Sequence, residues 1–334
     1  MRSNRSAHHR RCEGQTVNTE FVRPGAPYVG RFAPSPSGPL HFGSLVAAVA
    51  SYADARAAGG LWLLRIEDVD KPRCTREADQ EIRRQLAVYG LEADGPAIRQ
   101  SERHEQYEAA LDKLGQVAHD GRLFACTCTR KLLDTALRNN CNTSSEVIYS
   151  GRCRDLDIAC SAPSTSLRLR VKDNDDAQIV FFDRAFGRLA QNVAAEVGDF
   201  ILRRADGLYA YQLAVVVDDA EQGVTDVVRG ADLLMNTPRQ IYLQRRLGYA
   251  TPGYLHLPLA RNDAGEKLSK QTRAAAIADD NVIATLKLAW AFLGQPELEP
   301  IASVAHFWQQ AFAHWNPVLI WSMTHATIAP ANAT

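Results

Sequence analysis

The feature that most constrains this chain is a strand–turn–helix–strand series near its start. The apolar run YVGRFA, from Tyr28, breaks into the turn Pro34-Ser35-Pro36-Ser37-Gly38-Pro39. The alanine-rich run SLVAAVASYADARAA (44–58) follows, stopped by Gly59-Gly60, and then the apolar run LWLLRIED (61–68). Strand, helix and strand at this spacing make a βαβ unit, which demands a parallel sheet and predicts an α/β protein. Ligands bind such sheets outside the carboxyl ends of the strands, and free amides at a helix start attract anions.

Further elements are expected along the chain. Thr75 caps a helix running to Tyr89, and Ser101 caps another whose buried stripe is Tyr107, Leu111, Leu114 and Ala118. SLRLRV (166–171) and QIVFFD (from 178) read as strands. Asp206-Gly207 between DFILRR (199–204) and LYAYQLAVVVDD (208–219) reads as a hairpin turn. TDVVRG (225–230) leads into a helix near 231–247, YLHLPLA (254–260) precedes a polar loop, and residues from about Asn281 look helical.

Composition narrows the partners. Lys+Arg and Asp+Glu both number 38, so any RNA contact must come from a local basic patch. No stretch reaches the roughly 18 apolar residues of a membrane span. Residues 1–27 are polar and basic without an apolar core, which suits a disordered tail rather than a secretory signal. Seven cysteines without such a signal suit a reducing, cytoplasmic setting, where clustered thiols more often bind metal than form disulfides.

Several residues carry candidate chemistry. His41 precedes the first helix and can donate to phosphate, while Gly43 leaves room for a flat ring such as adenine. Arg31, Glu67 and Arg229 each stand near a strand terminus and so converge on one end of the sheet. Glu266-Lys267-Leu268-Ser269-Lys270 offers two lysines on a loop that could close over a triphosphate. Cys126-x-Cys128 followed by Cys153 supplies three thiols for a tetrahedral metal, with Cys141 and Cys160 competing for the fourth place.

Two of these segments carry a family resemblance. His41-Phe42-Gly43-Ser44 resembles the first motif of class I aminoacyl-tRNA synthetases, with Ser44 where the family has histidine. Lys267-Leu268-Ser269-Lys270 resembles the second, with Gln271 replacing its last serine. The preceding RFAPSPSG resembles the glutamyl and glutaminyl branch. C-x-C at 126–128 followed by Tyr149-x₃-Cys153 is similar to the zinc pattern of glutamyl-queuosine tRNA(Asp) synthetases, with a longer connection between the halves.

The resemblance implies a Rossmann-type catalytic domain with helices on both faces. It would be split as 28–121 and 166–280 around a zinc-binding, acceptor-end module at 122–165. A short helical segment (281–334) would follow, with no anticodon-binding domain in the roughly 60 residues left after the lysine loop. It implies ATP with Mg²⁺ at His41, Gly43, Lys267 and Lys270, and one structural Zn²⁺ on Cys126, Cys128, Tyr149 and Cys153. L-glutamate would be held by Arg31, Phe32, Ala33, Pro34, Ser35, Glu67, Tyr211 and Arg229. Glu67 would take the ammonium and Arg229 the side-chain carboxylate, with queuosine-containing tRNA(Asp) as the acceptor and a monomer as the working form. The rivals are a truncated enzyme charging tRNA(Glu), a catalytically dead RNA-binding module and a nucleotidylyltransferase.

Overall fold

In a computed structural model the chain is described at residues 27–116, 123–129, 131–132, 148–156, 158–160, 162–260 and 275–320. The opening run forms β1 (Val29–Phe32), buried at every position. Helix α1 (Phe42–Ala57) begins two residues before the alanine run, because the His41 ring accepts the Ser44 amide and caps it. Its small side chains are buried on nearly every face, so it packs closely on the sheet. β2 (Leu61–Ile66) pairs parallel with β1 from Val29↔Leu61 to Phe32↔Leu64, and β3 (Ile98–Arg99) continues the sheet parallel to β2.

A second set of strands starts beside β1. The Thr225 amide donates to the Val29 carbonyl (2.9 Å), and the Val29 amide donates to the Thr225 hydroxyl (2.8 Å). Named in chain order, the strands beyond are β4 (Leu123–Cys126), β5 (Ser166–Leu169), β6 (Gln178–Asp183), β7 (Gly187–Asn192), β8 (Phe200–Arg203), β9 (Asp226–Gly230) and β10 (Gly253–Leu257). β9 pairs parallel with β10, which meets β6 in parallel, and β7 closes that edge antiparallel. β4, β5 and β8 form a separate antiparallel sheet, so the chain leaves at Cys126 and returns at Ser166 side by side.

The remaining helices among the described residues include α2 (Arg76–Val88), capped as expected by Thr75, and α3 (His104–Gln116). They continue with α4 (Tyr211–Glu221), α5 (Thr237–Leu247) with Pro238 in its first turn, α6 (Val282–Phe292) and α7 (Val304–His314).

Two expectations are corrected. Ser101 does not cap α3. It sits in the preceding 3₁₀ turn, where its amide and hydroxyl donate to Asp68 at 2.8 and 2.6 Å. LYAYQLAVVVDD is not a strand. The chain does turn at Asp206-Gly207, but after one bridge, Arg203↔Tyr209, it becomes α4. Gln212 to Asp219 are all buried, and a run buried on every side shows no period to separate helix from strand. Ala118 and residues 1–26 lie outside the described residues.

The tryptophans of the C-terminal helices are packing residues. Trp308 lies edge-on to Tyr52 of α1 at 4.8 Å, and its indole donates to the Tyr89 carbonyl (2.9 Å). Trp315 donates to Asp54 of α1 (2.8 Å), while Trp321 lies outside the described residues. Trp308→Ala is expected to cost about 3–5 kcal/mol in urea unfolding. Trp308→Phe keeps the packing and should cost about 1 kcal/mol. Equal losses in the two variants would contradict this.

Candidate active site

The turn between β1 and α1 is held from three sides. The Glu67 amide donates to the Pro34 carbonyl (3.0 Å) and the Thr75 amide to the Pro36 carbonyl (3.0 Å), while the Gln85 side chain accepts the Leu40 amide (2.8 Å). Gly38, at φ 150°, takes a conformation open to glycine alone. This fixed turn forms one wall of a cleft of about 560 Å³ where β1 and β9 run side by side.

Arg31, Phe32, Ala33, Pro34, Ser35, His41, Glu67, Tyr211 and Arg229 all line that cleft. A smaller cavity of about 190 Å³ continues from it past His41, Ser44 and Gly230, with Gly43 and Leu257–Ala260 on its walls. The His41 Nδ1 accepts the Ser44 amide (3.2 Å), so the neutral ring carries its proton on Nε2, 3.0 Å from the Ser44 hydroxyl. The ring itself lines the cleft. Lys267 and Lys270 lie outside the described residues. The chain on either side of them flanks the histidine: Ala260 lines the smaller cavity and Ala276 bridges His41.

The cleft floor is a buried charge network that sequence reading missed. Arg31 pairs with Asp219 at 3.1 Å, and Arg65 pairs with Asp219 at 2.7 Å and approaches Glu67 at 3.5 Å and Asp218 at 3.9 Å. Burial would raise the Asp219 carboxyl, but Arg31 and Arg65 outweigh it and hold the group below the usual range. Glu67 goes the other way. Burial pushes its carboxyl up to about 7, against the pull of Arg65 and Arg31, and with Asp219 and Asp218 adding repulsion. The two arginines do not offset the burial of Glu67.

Arg229 is the converse. Its Nε donates to His256 Nε2 (3.1 Å) and its Nη2 to the Thr237 hydroxyl (2.8 Å), both neutral groups. Its Nη1 is buried with no hydrogen-bond partner among the described residues. A buried guanidinium without a carboxylate calls for an anionic ligand. His256, Asp183 and Thr237 were also missed. The signal that could have found them is a single polar residue inside an otherwise apolar run, as in YLHLPLA.

A separate cluster lies where β4 ends. Cys126 Sγ is 3.4 Å from the Tyr149 hydroxyl, and Cys128 Sγ is 3.9 Å from it and 3.6 Å from Cys153 Sγ. The three sulfurs lie within 4.8 Å of one another and could hold a metal ion. A tetrahedron with metal–sulfur bonds of about 2.3 Å has edges of about 3.8 Å, so three thiolates and the phenol fit. Gly151, at φ 79°, makes the turn that brings Tyr149 and Cys153 together. Cys160 is exposed and outside the group, and Cys141 lies outside the described residues. Arg168 lies over the Tyr149 ring, 4.1 Å from its centre.

Comparison with known proteins bears directly on this arrangement. Residues 28–291 match the family model "tRNA synthetases class I (E and Q), catalytic domain". The Glutamyl-Q tRNA(Asp) synthetase of Dechloromonas aromatica is 53% identical over 293 residues, covering 87% of this chain and 94% of that protein. That of Thiobacillus denitrificans is 54% identical over 290 residues, 86% of this chain and 93% of that one. The chain belongs to the Glutamyl-Q tRNA(Asp) synthetase family.

The crystal structure of a glutamate-tRNA synthetase from Elizabethkingia anophelis superposes with a TM-score of 0.72 at 22% identity, over 88% of this chain and 67% of that one. This establishes the class I synthetase catalytic fold, with its parallel sheet and flanking helices. No helix among the described residues is long and apolar enough to cross a membrane.

One consequence of the charge balance is open to measurement. A carbon-13 titration of glutamate carboxyls is expected to show one group titrating near 7 that is missing in Glu67→Gln. A Glu67 carboxyl titrating in the ordinary range, near 4, would contradict the burial argument.

Proposed function

We propose that this chain activates L-glutamate with ATP and transfers it to the queuosine base of tRNA(Asp). The observation that carries the amino-acid part is the opposed imbalance of the cleft. Arg229 is a buried cation without a carboxylate, and Glu67 is a carboxyl that burial drives towards neutrality. An amino acid with a side-chain carboxylate and an ammonium satisfies both at once. Glutamine supplies no charge to balance Arg229, so the acid is favoured.

In this reading Glu67 takes the ammonium and Arg229 the side-chain carboxylate. Arg31, anchored by Asp219, faces a carboxylate too, and Phe32, Ala33, Pro34, Ser35 and Tyr211 complete the pocket. His41 turns its Nε2 proton from the Ser44 hydroxyl to the phosphates of ATP, and adenine lies against Gly43 in the smaller cavity. Lys270, aided by Lys267, neutralises the departing pyrophosphate. Mg²⁺ arriving with ATP supplies further charge neutralisation at the phosphates.

A glutamate carboxylate oxygen attacks the α-phosphorus and pyrophosphate leaves. A cyclopentenediol hydroxyl of queuosine then attacks the acyl carbon, losing its proton as AMP leaves. Positioning and charge neutralisation supply the acceleration, without a protein nucleophile.

The sulfur–phenol cluster is assigned to one structural zinc on Cys126, Cys128, Tyr149 and Cys153. It would brace a module at 122–165 inserted between the catalytic halves 28–121 and 166–280. A tRNA substrate suits a cytoplasmic reaction, and a monomer is the proposed working form.

Glutamate-dependent ATP–pyrophosphate exchange is expected without tRNA, followed by transfer to tRNA(Asp) only when it carries queuosine. Lys270→Ala should reduce exchange at least 100-fold, about 2.7 kcal/mol of transition-state stabilisation. Transfer to tRNA(Glu) instead, or exchange undiminished in Lys270→Ala, would overturn these assignments. Protein purified without chelator should carry about one zinc ion per chain and lose it in Cys126→Ser. A metal-free preparation would refute the zinc assignment.

A further inference from the structure

We propose that His256, held by Asp183, is a positioning residue that fixes the rotation of the Arg229 guanidinium and so sharpens discrimination of a carboxylate from a carboxamide. This rests on the glutamate reading above. Arg229 and His256 are cross-strand neighbours in the parallel pair β9–β10. Asp183 ends β6 on the other side of His256. Its carboxylate accepts the Ala185 and Phe186 amides (2.9 and 3.0 Å), the His256 amide (3.1 Å) and the His256 Nδ1 proton (2.6 Å).

Four N–H donors converging on one buried carboxylate hold it in place. With the Nδ1 proton committed to Asp183, the neutral ring can only present a lone pair at Nε2. Burial and the neighbouring Arg229 favour that neutral form, although Asp183 pulls the other way. Nε2 therefore accepts from Arg229 Nε, and Thr237 accepts from Nη2. Two of the three guanidinium nitrogens are thereby pinned, which leaves the buried Nη1 as the nitrogen without a partner among the described residues.

The consequence concerns selectivity. A carboxylate meets this fixed donor with either oxygen. A carboxamide can meet it with one oxygen only, and in its other orientation sets NH₂ against the Nη1 N–H groups, donor to donor, unless the guanidinium turns. A pinned guanidinium cannot turn, so the mismatch persists.

Full-length wild type, His256→Leu and His256→Gln are compared in ATP–pyrophosphate exchange with glutamate and with glutamine. His256→Leu should raise KM for glutamate roughly 10- to 100-fold, the factor carried by a hydrogen bond to a charged group, with kcat falling far less. The glutamate-to-glutamine ratio of kcat/KM should fall by a similar factor. His256→Gln places an oxygen acceptor near the Nε2 position and should recover most of both. If His256→Leu does not fold, Thr237→Val, which removes the Nη2 acceptor, is read in the same way. An unchanged KM and ratio, or a loss in kcat that His256→Gln does not rescue, would overturn the positioning role alone. Wild type without glutamate-dependent exchange would overturn the glutamate reading and this inference together.

Discussion

The structure depends on burying charge at the carboxyl ends of β1, β2 and β9 without fully neutralising it. Desolvating an ion costs several kcal/mol unless partners compensate, and most of this network does compensate. Arg31 and Arg65 share Asp219, and Arg103 and Arg65 flank Asp218. Arg229, with no carboxylate partner among the described residues, and Glu67, whose one ion pair with Arg65 is long at 3.5 Å, both face the cleft. A fold stabilised only for itself would have removed them or paired them more closely. A fold that receives a zwitterion with a second carboxylate needs them as they stand.

The rest of the architecture serves this placement. The contact between Thr225 and Val29 sets β9 beside β1, so that residues nearly 200 positions apart in the chain share one wall. α1 starts just after His41 because the histidine caps it, and the same cap fixes the imidazole on the wall of the cleft. The segment from Ala276 to Ala278 is tied to this corner by the Ile277 amide on Leu40 and the Tyr89 hydroxyl on Ala278. Ala260 and Ala276, described on either side of the lysine segment, thus both lie at the start of the first helix.

Much of this was legible before any coordinates. The βαβ unit followed from β1, α1 and β2, whose apolar runs and Pro/Gly turn admit few other folds. Arg31, Glu67 and Arg229 were recognisable because a charge at the end of an apolar strand has few places to point. What could not be read was convergence across strands. Asp218 and Asp219 looked like a polar stop after a valine run, yet each is buried against arginines from β1, β2 and the α3 approach. Ser101 carried a capping residue's identity, but Asp68 claims its hydroxyl. His256, Asp183 and Thr237 are isolated in sequence and meet only when β6, β9, β10 and α5 assemble. Among the thiols, spacing could not separate Cys160 from the cluster, because spacing does not say which thiols the fold brings together.

The central claim is that one cleft receives the ammonium and side-chain carboxylate of a single amino acid at opposite charged walls. A crystal structure with a non-hydrolysable glutamyl-adenylate analogue tests it most directly. The account predicts the side-chain carboxylate about 3 Å from Arg229 Nη1 and the ammonium at the same distance from Glu67. An analogue bound outside this cleft, or with its side chain turned away from Arg229, would contradict it.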